Sequence, residues 1–124
     1  MSDYLTIADV LAIHDYLIER HGGPHGLRDE GQLVAALFRP QTGYYADVIA
    51  EAAALWESLS QNHPFVDGNK RTAFGAAYTF LATNGVEITA DADQVFAFIN
   101  DLYETNRFAF DALDSWLRSN TKRR

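Results

Sequence analysis

Hydrophobic residues recur every three or four positions along most of the chain, and glycine, proline and helix-capping residues separate these repeats. The first repeat follows Thr6 and Asp9, which match a capping box, and it ends at a pair of glycines, residues 22–23. The second repeat follows Asp29, a capping residue, and ends at Pro40. These two segments are therefore predicted to be amphipathic helices joined by a loop.

Four more helices are predicted beyond residue 47. They run from Val48 to about Asn62, from Gly68 or Asn69 to Asn84, from a start at Asp91 and Gln94, and around residues 110–117. Residues 86–89 are predicted to be a brief extended link, and residues 39–47, which show no helical period, an exposed loop or flap. The pattern indicates an all-α fold, a compact single-domain bundle of about six helices over residues 1–124.

The composition is that of one globular domain. Of the 124 residues, 48% are apolar, which is enough to build a hydrophobic core. The chain has no cysteine, so disulfides, thiolate metal ligands and a cysteine nucleophile are excluded. Its net charge of -7 would repel a phosphate backbone, so direct binding to nucleic acid is not expected. No apolar run approaches the roughly 18 residues that span a bilayer, and we expect a cytoplasmic protein without membrane contact.

One short segment, residues 63–72, contains the residue types of a catalytic site. From Pro40 to Asn106 there are nine acidic side chains and only two basic ones, the adjacent Lys70 and Arg71. Both cations fall in the first turn of the predicted fourth helix, where the helix dipole disfavours positive charge. An anion is therefore expected beside them.

The residues around this helix start suit a nucleotide. The backbone N–H groups of Gly68, Asn69 and Lys70 would be free to bind phosphate, and the glycine would allow a close approach. Asp67 is placed to hold a magnesium ion that bridges phosphate oxygens. A histidine at position 63 can take a proton from an attacking hydroxyl.

Each of these residues also has a plain structural interpretation. Taken alone, His63 can be a histidine at a helix end, and Asp67 or Asn69 a helix cap. The two adjacent cations can be a solvated surface pair. Their concentration within ten residues favours a common site over three unrelated explanations. Phe65 is interpreted as a core residue that anchors the loop, and His14 as a helix-face histidine.

The segment 63–72 resembles the signature of the Fic/Doc family. The Fic motif is His-Pro-Phe, any residue, Asp or Glu, Gly-Asn-Gly-Arg, two residues of any kind, and Arg, and the chain agrees with it from His63 to Asn69. Lys70 replaces a glycine of that motif, and Phe74 replaces its second arginine. The death-on-curing (Doc) branch has Asn-Lys-Arg, which is the sequence of residues 69–71. The resemblance, which extends over nearly the whole chain, is therefore strongest to the Doc branch.

This resemblance implies the toxin of a bacterial type II toxin–antitoxin system. Doc toxins transfer the terminal phosphoryl group of ATP, with Mg²⁺, to a threonine of translation elongation factor Tu, and so stop protein synthesis. Fic enzymes usually transfer the nucleotidyl group instead. Lys70 and the absent second arginine favour the kinase, and a Fic-type AMP transferase is the alternative.

The resemblance also implies roles by matched position. His63 would be the catalytic base, Asp67 the magnesium ligand, Gly68 and Asn69 the anion-binding residues, and Lys70 and Arg71 the phosphate clamps. The segment that would lie where the family docks its target contains four candidate docking residues: Arg39, Gln41, Tyr44 and Tyr45.

The resemblance also bears on how the activity of this protein would be inhibited. Many Fic proteins contain an inhibitory helix with Ser or Thr, three residues, Glu, and then Gly or Asn. Here only Glu30 is followed by Gly or Asn, and position 26 is a glycine. We therefore expect a separate antitoxin chain whose disordered segment folds on an apolar groove. A second hypothesis is a catalytically inactive module that acts by binding a partner.

Overall fold

The computed structural model describes residues 2–124, and six α-helices dominate this part of the chain. They are α1 (Ile7–His21), α2 (Glu30–Phe38), α3 (Val48–Asn62), α4 (Asn69–Thr83), α5 (Ala92–Glu104) and α6 (Phe110–Ser119). Two short strands, β1 (Val86–Ile88) and β2 (Thr121–Arg123), complete the fold. The predicted all-α class with six helices is confirmed.

Side chains that hydrogen-bond to free backbone N–H groups begin most of these helices. The predicted capping box of α1 is present, since the Thr6 N–H donates to Asp9 over 2.8 Å and the Asp9 N–H donates to the Thr6 hydroxyl over 3.1 Å. Aspartates cap α2, α3 and α5 in the same way: Asp29, Asp47 and Asp91. The start of α4, by contrast, has no side-chain cap.

The core is centred on α3 and α4, which pack against each other, with α1, α2 and α6 around them. Both central helices bury alanines completely, and such small side chains let neighbouring backbones approach closely. The largest buried side chain is Trp56 of α3, whose ring contacts those of Phe74, Phe98 and Trp116 edge to face. The fourth helix therefore lies at the centre of the fold.

The predicted loop over residues 39–47 begins with an ordered 3-10 turn, Arg39–Thr42. Its second residue is Pro40, which is buried and whose fixed φ suits the start of a helical turn. A turn of four residues is too short to show a helical repeat, so the sequence pattern could not reveal it. Farther along the segment Tyr44 is 84% exposed, as expected of a surface loop.

The extended link after α4 has a partner that the sequence did not indicate. Strand β1 pairs antiparallel with β2 at the end of the chain, with Val86 opposite Arg123 and Ile88 opposite Thr121. Val86 and Ile88 are buried, so this pairing satisfies backbone groups at the edge of the core. The tail is polar and only a few residues long, which leaves no alternating pattern to predict a strand.

Candidate active site

The segment predicted to contain the site, residues 63–72, comprises the loop of residues 63–68 between the two central helices and the first residues of α4. His63 ends α3 with φ 48° and Gly68 precedes α4 with φ 78°, so both ends of the loop have left-handed backbone. Such a conformation costs a glycine little, and the strain at His63 is confined to the first residue of the loop. The chain can thereby reverse direction within a few residues and present the loop at the start of α4.

The segment between α1 and α2 supports the loop through the backbone. The Val66 N–H donates to the Gly26 carbonyl over 3.0 Å, and the Arg28 N–H donates to the Pro64 carbonyl over 2.7 Å. The Arg28 guanidinium also donates to the His63 carbonyl over 2.6 Å. These bonds fix the backbone on both sides of Pro64. They therefore also fix the backbone position of His63, to which its side chain is attached.

Asn69 holds the loop from the other side. Its side-chain oxygen accepts from the Phe65 N–H over 3.0 Å, and its side-chain nitrogen donates to the Phe65 carbonyl over 2.9 Å. The Asn69 side chain thus shapes the loop through its oxygen and one of its two amide N–H groups.

His14 of α1 is a residue of the site whose role the sequence analysis missed. Its ring is 2% exposed, stacks on Phe65 with centroids 3.8 Å apart, and has Nε2 2.8 Å from the Asp67 carbonyl oxygen. A carbonyl oxygen only accepts, so the proton resides on Nε2. The signal in the sequence was a polar residue within the apolar stripe of α1, because a buried polar group requires a partner.

The Asp67 carboxylate is exposed at the start of α4. One oxygen accepts from the Gly68 N–H over 2.8 Å, and a Cβ on Gly23 would come within 2.7 Å of the other. Residues 2–124 contain no cluster of three or more metal-ligating side chains. A single carboxylate nevertheless fits Mg²⁺ that is bound mainly through substrate phosphates and water.

The start of α4 is suited to bind an anion. No side chain caps the helix, so the first N–H groups of α4 are available, and Lys70 and Arg71 are exposed beside them. A Cβ on Gly68 would lie 3.1 Å from the tip of Ile18 and 3.6 Å from His14 Nε2. The absence of a side chain at position 68 therefore lets α1 pack closely on the start of α4.

These groups open onto one cleft of about 900 Å³. All six residues predicted to act in catalysis or to bind nucleotide and metal line it: His63, Asp67, Gly68, Asn69, Lys70 and Arg71. Its other wall is largely apolar and includes Phe74 and, from α5, Val95, Phe96 and Ile99. A second histidine, His21 at the end of α1, also lines the cleft.

The model of the Fic/DOC family matches residues 4–81, which contain the loop and every polar residue that shapes it. The chain belongs to the Fic/Doc family. It is 48% identical over 98 residues to Toxin Doc of Mycolicibacterium smegmatis, a match that covers 75% of this chain and 73% of the relative. It is 33% identical over 89 residues to Protein kinase doc of Escherichia phage P1, with 68% and 71% covered. These relatives place the chain with the Doc-type toxins of the family.

In this Fic/Doc chain the four residues predicted to dock a target do not line the cleft. Arg39 donates to Glu57 over 2.7 Å, to Ser58 over 2.9 Å and to the Tyr45 hydroxyl over 2.7 Å. Burial alone would lower the pKa of Arg39, but the bonds to Glu57 and Tyr45 hold it above its ordinary value. Arg39 therefore ties the 39–47 segment to α3 as a permanent cation.

The other docking candidates differ in how free they are. Gln41 donates from its side chain to the Leu37 carbonyl over 3.0 Å, and Tyr45 packs against Phe110. Tyr44 has the most exposed large hydrophobic side chain of the segment.

Among residues 2–124 there is no helix long and apolar enough to cross a membrane.

Proposed function

We propose that this Fic/Doc protein is a toxin that transfers the γ-phosphoryl group of ATP to a threonine hydroxyl of translation elongation factor Tu and so blocks translation. The observation that carries the proposal is the uncapped start of α4, which opens with Lys70 and Arg71 into the same cleft as His63 and Asp67. The phage P1 relative is named as a protein kinase, which agrees with this reaction.

The phosphates would bind where donors are concentrated. The free N–H groups of α4 and the helix dipole attract negative charge, while the Lys70 ammonium and the Arg71 guanidinium supply full positive charges. Asp67 would hold Mg²⁺, which neutralises phosphate charge when it is bound. In an acidic protein this local positive charge selects the place at which a polyphosphate can bind.

His63 would act as the base. The His63 side chain is exposed and lines the cleft. The bond from Arg28 to the His63 carbonyl holds the backbone to which this ring is attached. The threonine oxygen attacks the γ-phosphorus, the bond between that phosphorus and the ADP oxygen breaks, and the hydroxyl proton passes to His63. Proton transfer of this kind contributes about 10²- to 10⁴-fold to a rate.

Phe74 supports transfer of the terminal group rather than of the nucleotide. It stands where the Fic motif has its second arginine, lines the cleft, and packs on Trp56 with ring centroids 5.3 Å apart. An apolar ring offers no donor to a phosphate. The positive charge on this side of the cleft is therefore limited to Lys70 and Arg71, at the helix start.

The test uses ATP labelled on the γ- or the α-phosphate, with purified elongation factor Tu as acceptor. Label that reaches the acceptor only from the γ position supports the kinase. Label only from the α position identifies an AMP transferase, and label from neither supports the partner-binding module. His63→Ala should bind ATP normally and transfer nothing, whereas His21→Ala, the matched change at the other histidine of the cleft, should keep activity.

Control by a separate antitoxin is part of the proposal. Apolar side chains are exposed along the cleft, with Phe96 68% and Val66 54% exposed, and they offer a surface on which an amphipathic segment can fold. Expression of the wild type alone should arrest bacterial growth, and co-expression of its adjacent gene should restore it. Normal growth with the unpartnered wild type would contradict a toxin function.

A further inference from the structure

We infer that Tyr103 is a positioning residue for Lys70, because its ring holds the lysine ammonium at the edge of the cleft, where the ammonium can meet a phosphate. The inference rests on the proposed function, since it takes Lys70 to bind nucleotide phosphate. Lys70 Nζ lies 4.0 Å from the centroid of the Tyr103 ring, which is a cation–π contact. Lys70 also lines the cleft, so one residue contacts the ring and borders the anion site.

Lys70 needs such a contact to have a defined position. None of the ion pairs within residues 2–124 includes it. Its four-carbon side chain is flexible, and the dipole of α4 disfavours a cation in the first turn. The face of Tyr103 offers the negative potential that the helix start lacks.

The position of Tyr103 is fixed without the help of Lys70. Its ring stacks on Phe108, with centroids 4.6 Å apart and planes 20° from parallel, and its hydroxyl hydrogen-bonds to the buried Ser60 of α3. Burial raises the pKa of Tyr103, and the bond to Ser60 opposes this only in part. The phenol is therefore neutral near pH 7, and it attracts Lys70 through the ring face rather than as an anion.

The contact and phosphate binding are compatible. An ammonium group that rests on a ring face keeps N–H donors on its far side, and these remain available to a phosphate. Restricting the side chain beforehand reduces the conformational entropy that Lys70 loses when it binds. Removing the ring should therefore weaken nucleotide affinity. Tyr103 belongs to α5, beyond the residues that the family model matches.

The test compares two substitutions at this position in the full chain. Tyr103→Leu removes the aromatic face, whereas Tyr103→Phe keeps the face and loses only the hydroxyl. We expect Tyr103→Leu to weaken the binding of ATP with Mg²⁺, measured by calorimetry without any protein acceptor, by about 2- to 6-fold. Tyr103→Phe should stay within about twofold of the wild type. If Tyr103→Leu does not fold, Tyr103→Met fills similar space without an aromatic face.

A double-mutant cycle separates positioning from a merely structural role. In a Lys70→Ala background, Tyr103→Leu should have no further effect on ATP binding. The ε-protons of Lys70 should also show a ring-current shift by NMR in the wild type and in Tyr103→Phe, and lose it in Tyr103→Leu. Equal weakening with and without Lys70 would overturn the inference, as would tighter ATP binding by Tyr103→Leu, which would mean that the ring withholds the ammonium.

The outcome for Tyr103 is distinguishable from the outcome for the kinase. If the expected pattern of ATP affinities appears but no label reaches elongation factor Tu, the positioning role stands and the proposed acceptor reaction fails. If the wild type does not bind ATP, both the positioning role and the proposed function are overturned.

Discussion

The buried ring of His14 donates a hydrogen bond to the backbone carbonyl of Asp67, over 2.8 Å and across 53 residues of sequence. The same ring lies flat on Phe65, two residues before that carbonyl. One side chain of α1 therefore fixes both the apolar anchor of the loop and the peptide that presents its carboxylate. The 63–68 loop depends on α1 as well as on the two helices that it connects.

Replacing His14 by phenylalanine should separate these two contacts. His14→Phe keeps a ring to stack on Phe65 but leaves the Asp67 carbonyl without its donor, which should cost about 1–3 kcal/mol of unfolding free energy. We also expect weaker Mg²⁺-dependent binding of ATP, because the Asp67 peptide is no longer fixed. Urea unfolding and ATP titrations with and without Mg²⁺ provide the measurements.

The matched control is His25→Phe, since His25 is exposed and bonds only to Asp15 and Glu19 on the surface of α1. Its effect on both measurements should be small. Unchanged stability and unchanged Mg²⁺ dependence in His14→Phe would contradict the role assigned to this histidine.

The sequence predicted the helices well because the signals for them are local. A capping residue such as Thr6 and an apolar repeat lie within a few positions of each other, and so does the whole segment 63–72. The partner of His14 lies 53 residues away, and the antiparallel partner of Val86 lies at the end of the chain. Periodicity contains no information about such distant contacts.

The glycine pair after α1 provides a second test. Both glycines have positive φ, 83° at Gly22 and 108° at Gly23, so an alanine at either position strains the backbone. A Cβ at Gly22 would meet no atom within 4 Å, whereas one at Gly23 would lie 2.7 Å from the Asp67 carboxylate. Gly22→Ala is therefore a control for strain, and only Gly23→Ala should displace the carboxylate.

We expect Gly23→Ala to lower phosphoryl transfer at limiting Mg²⁺ well beyond Gly22→Ala, with comparable losses of thermal stability. Initial rates over a series of Mg²⁺ concentrations, beside thermal melts, measure both effects. Equal activity of the two variants would mean that the approach of Gly23 to Asp67 has no functional role.

The site also shows why a motif does not assign a task to each of its residues. The backbone N–H of Gly68 is predicted to be free for phosphate, yet it donates to the Asp67 carboxylate over 2.8 Å. The sequence indicates Gly23 only as part of the glycine pair that ends the first helix, and not as a neighbour of the Asp67 carboxylate. Which atoms of a motif face a ligand depends on the supporting contacts, and some of these come from residues outside the motif, such as His14 and Arg28.

Neutralising the cations at the start of α4 should abolish function without unfolding the protein. Lys70 and Arg71 are exposed, so Lys70→Ala and Arg71→Ala should remove transition-state stabilisation worth several kcal/mol, about 100-fold or more in rate, and shift the thermal melts little. Arg107→Ala removes one exposed positive charge away from the cleft and should retain activity. Full activity of both cleft variants would eliminate these residues as phosphate clamps.

Asp47 links the stability of the protein to pH. Its carboxylate caps α3 through the Ala50 N–H over 2.9 Å and accepts two bonds from Arg118, each 3.0 Å long. The bonds from Arg118 lower the pKa of Asp47 from its ordinary value of 3.8, against the opposing effect of burial. Arg118 belongs to α6, where it also pairs with Asp114, so its bonds to Asp47 join α6 to the start of α3.

The direction of the pH effect follows from this lowered pKa. Since Asp47 binds its proton less readily in the folded chain than in the unfolded chain, its stabilisation is complete above the unfolded-state pKa and is lost as pH falls through the folded-state value. Asp47→Asn keeps a side-chain oxygen for the cap but has no charge to pair with Arg118. The wild type should therefore exceed Asp47→Asn in unfolding free energy at about pH 6, and the difference should shrink by about pH 3. Asp93→Asn, at an exposed aspartate in the first turn of α5, controls for the loss of one negative charge. Urea unfolding at the two pH values decides the matter, and a difference between wild type and Asp47→Asn that is the same at both would show that the ion pair with Arg118 does not stabilise the fold.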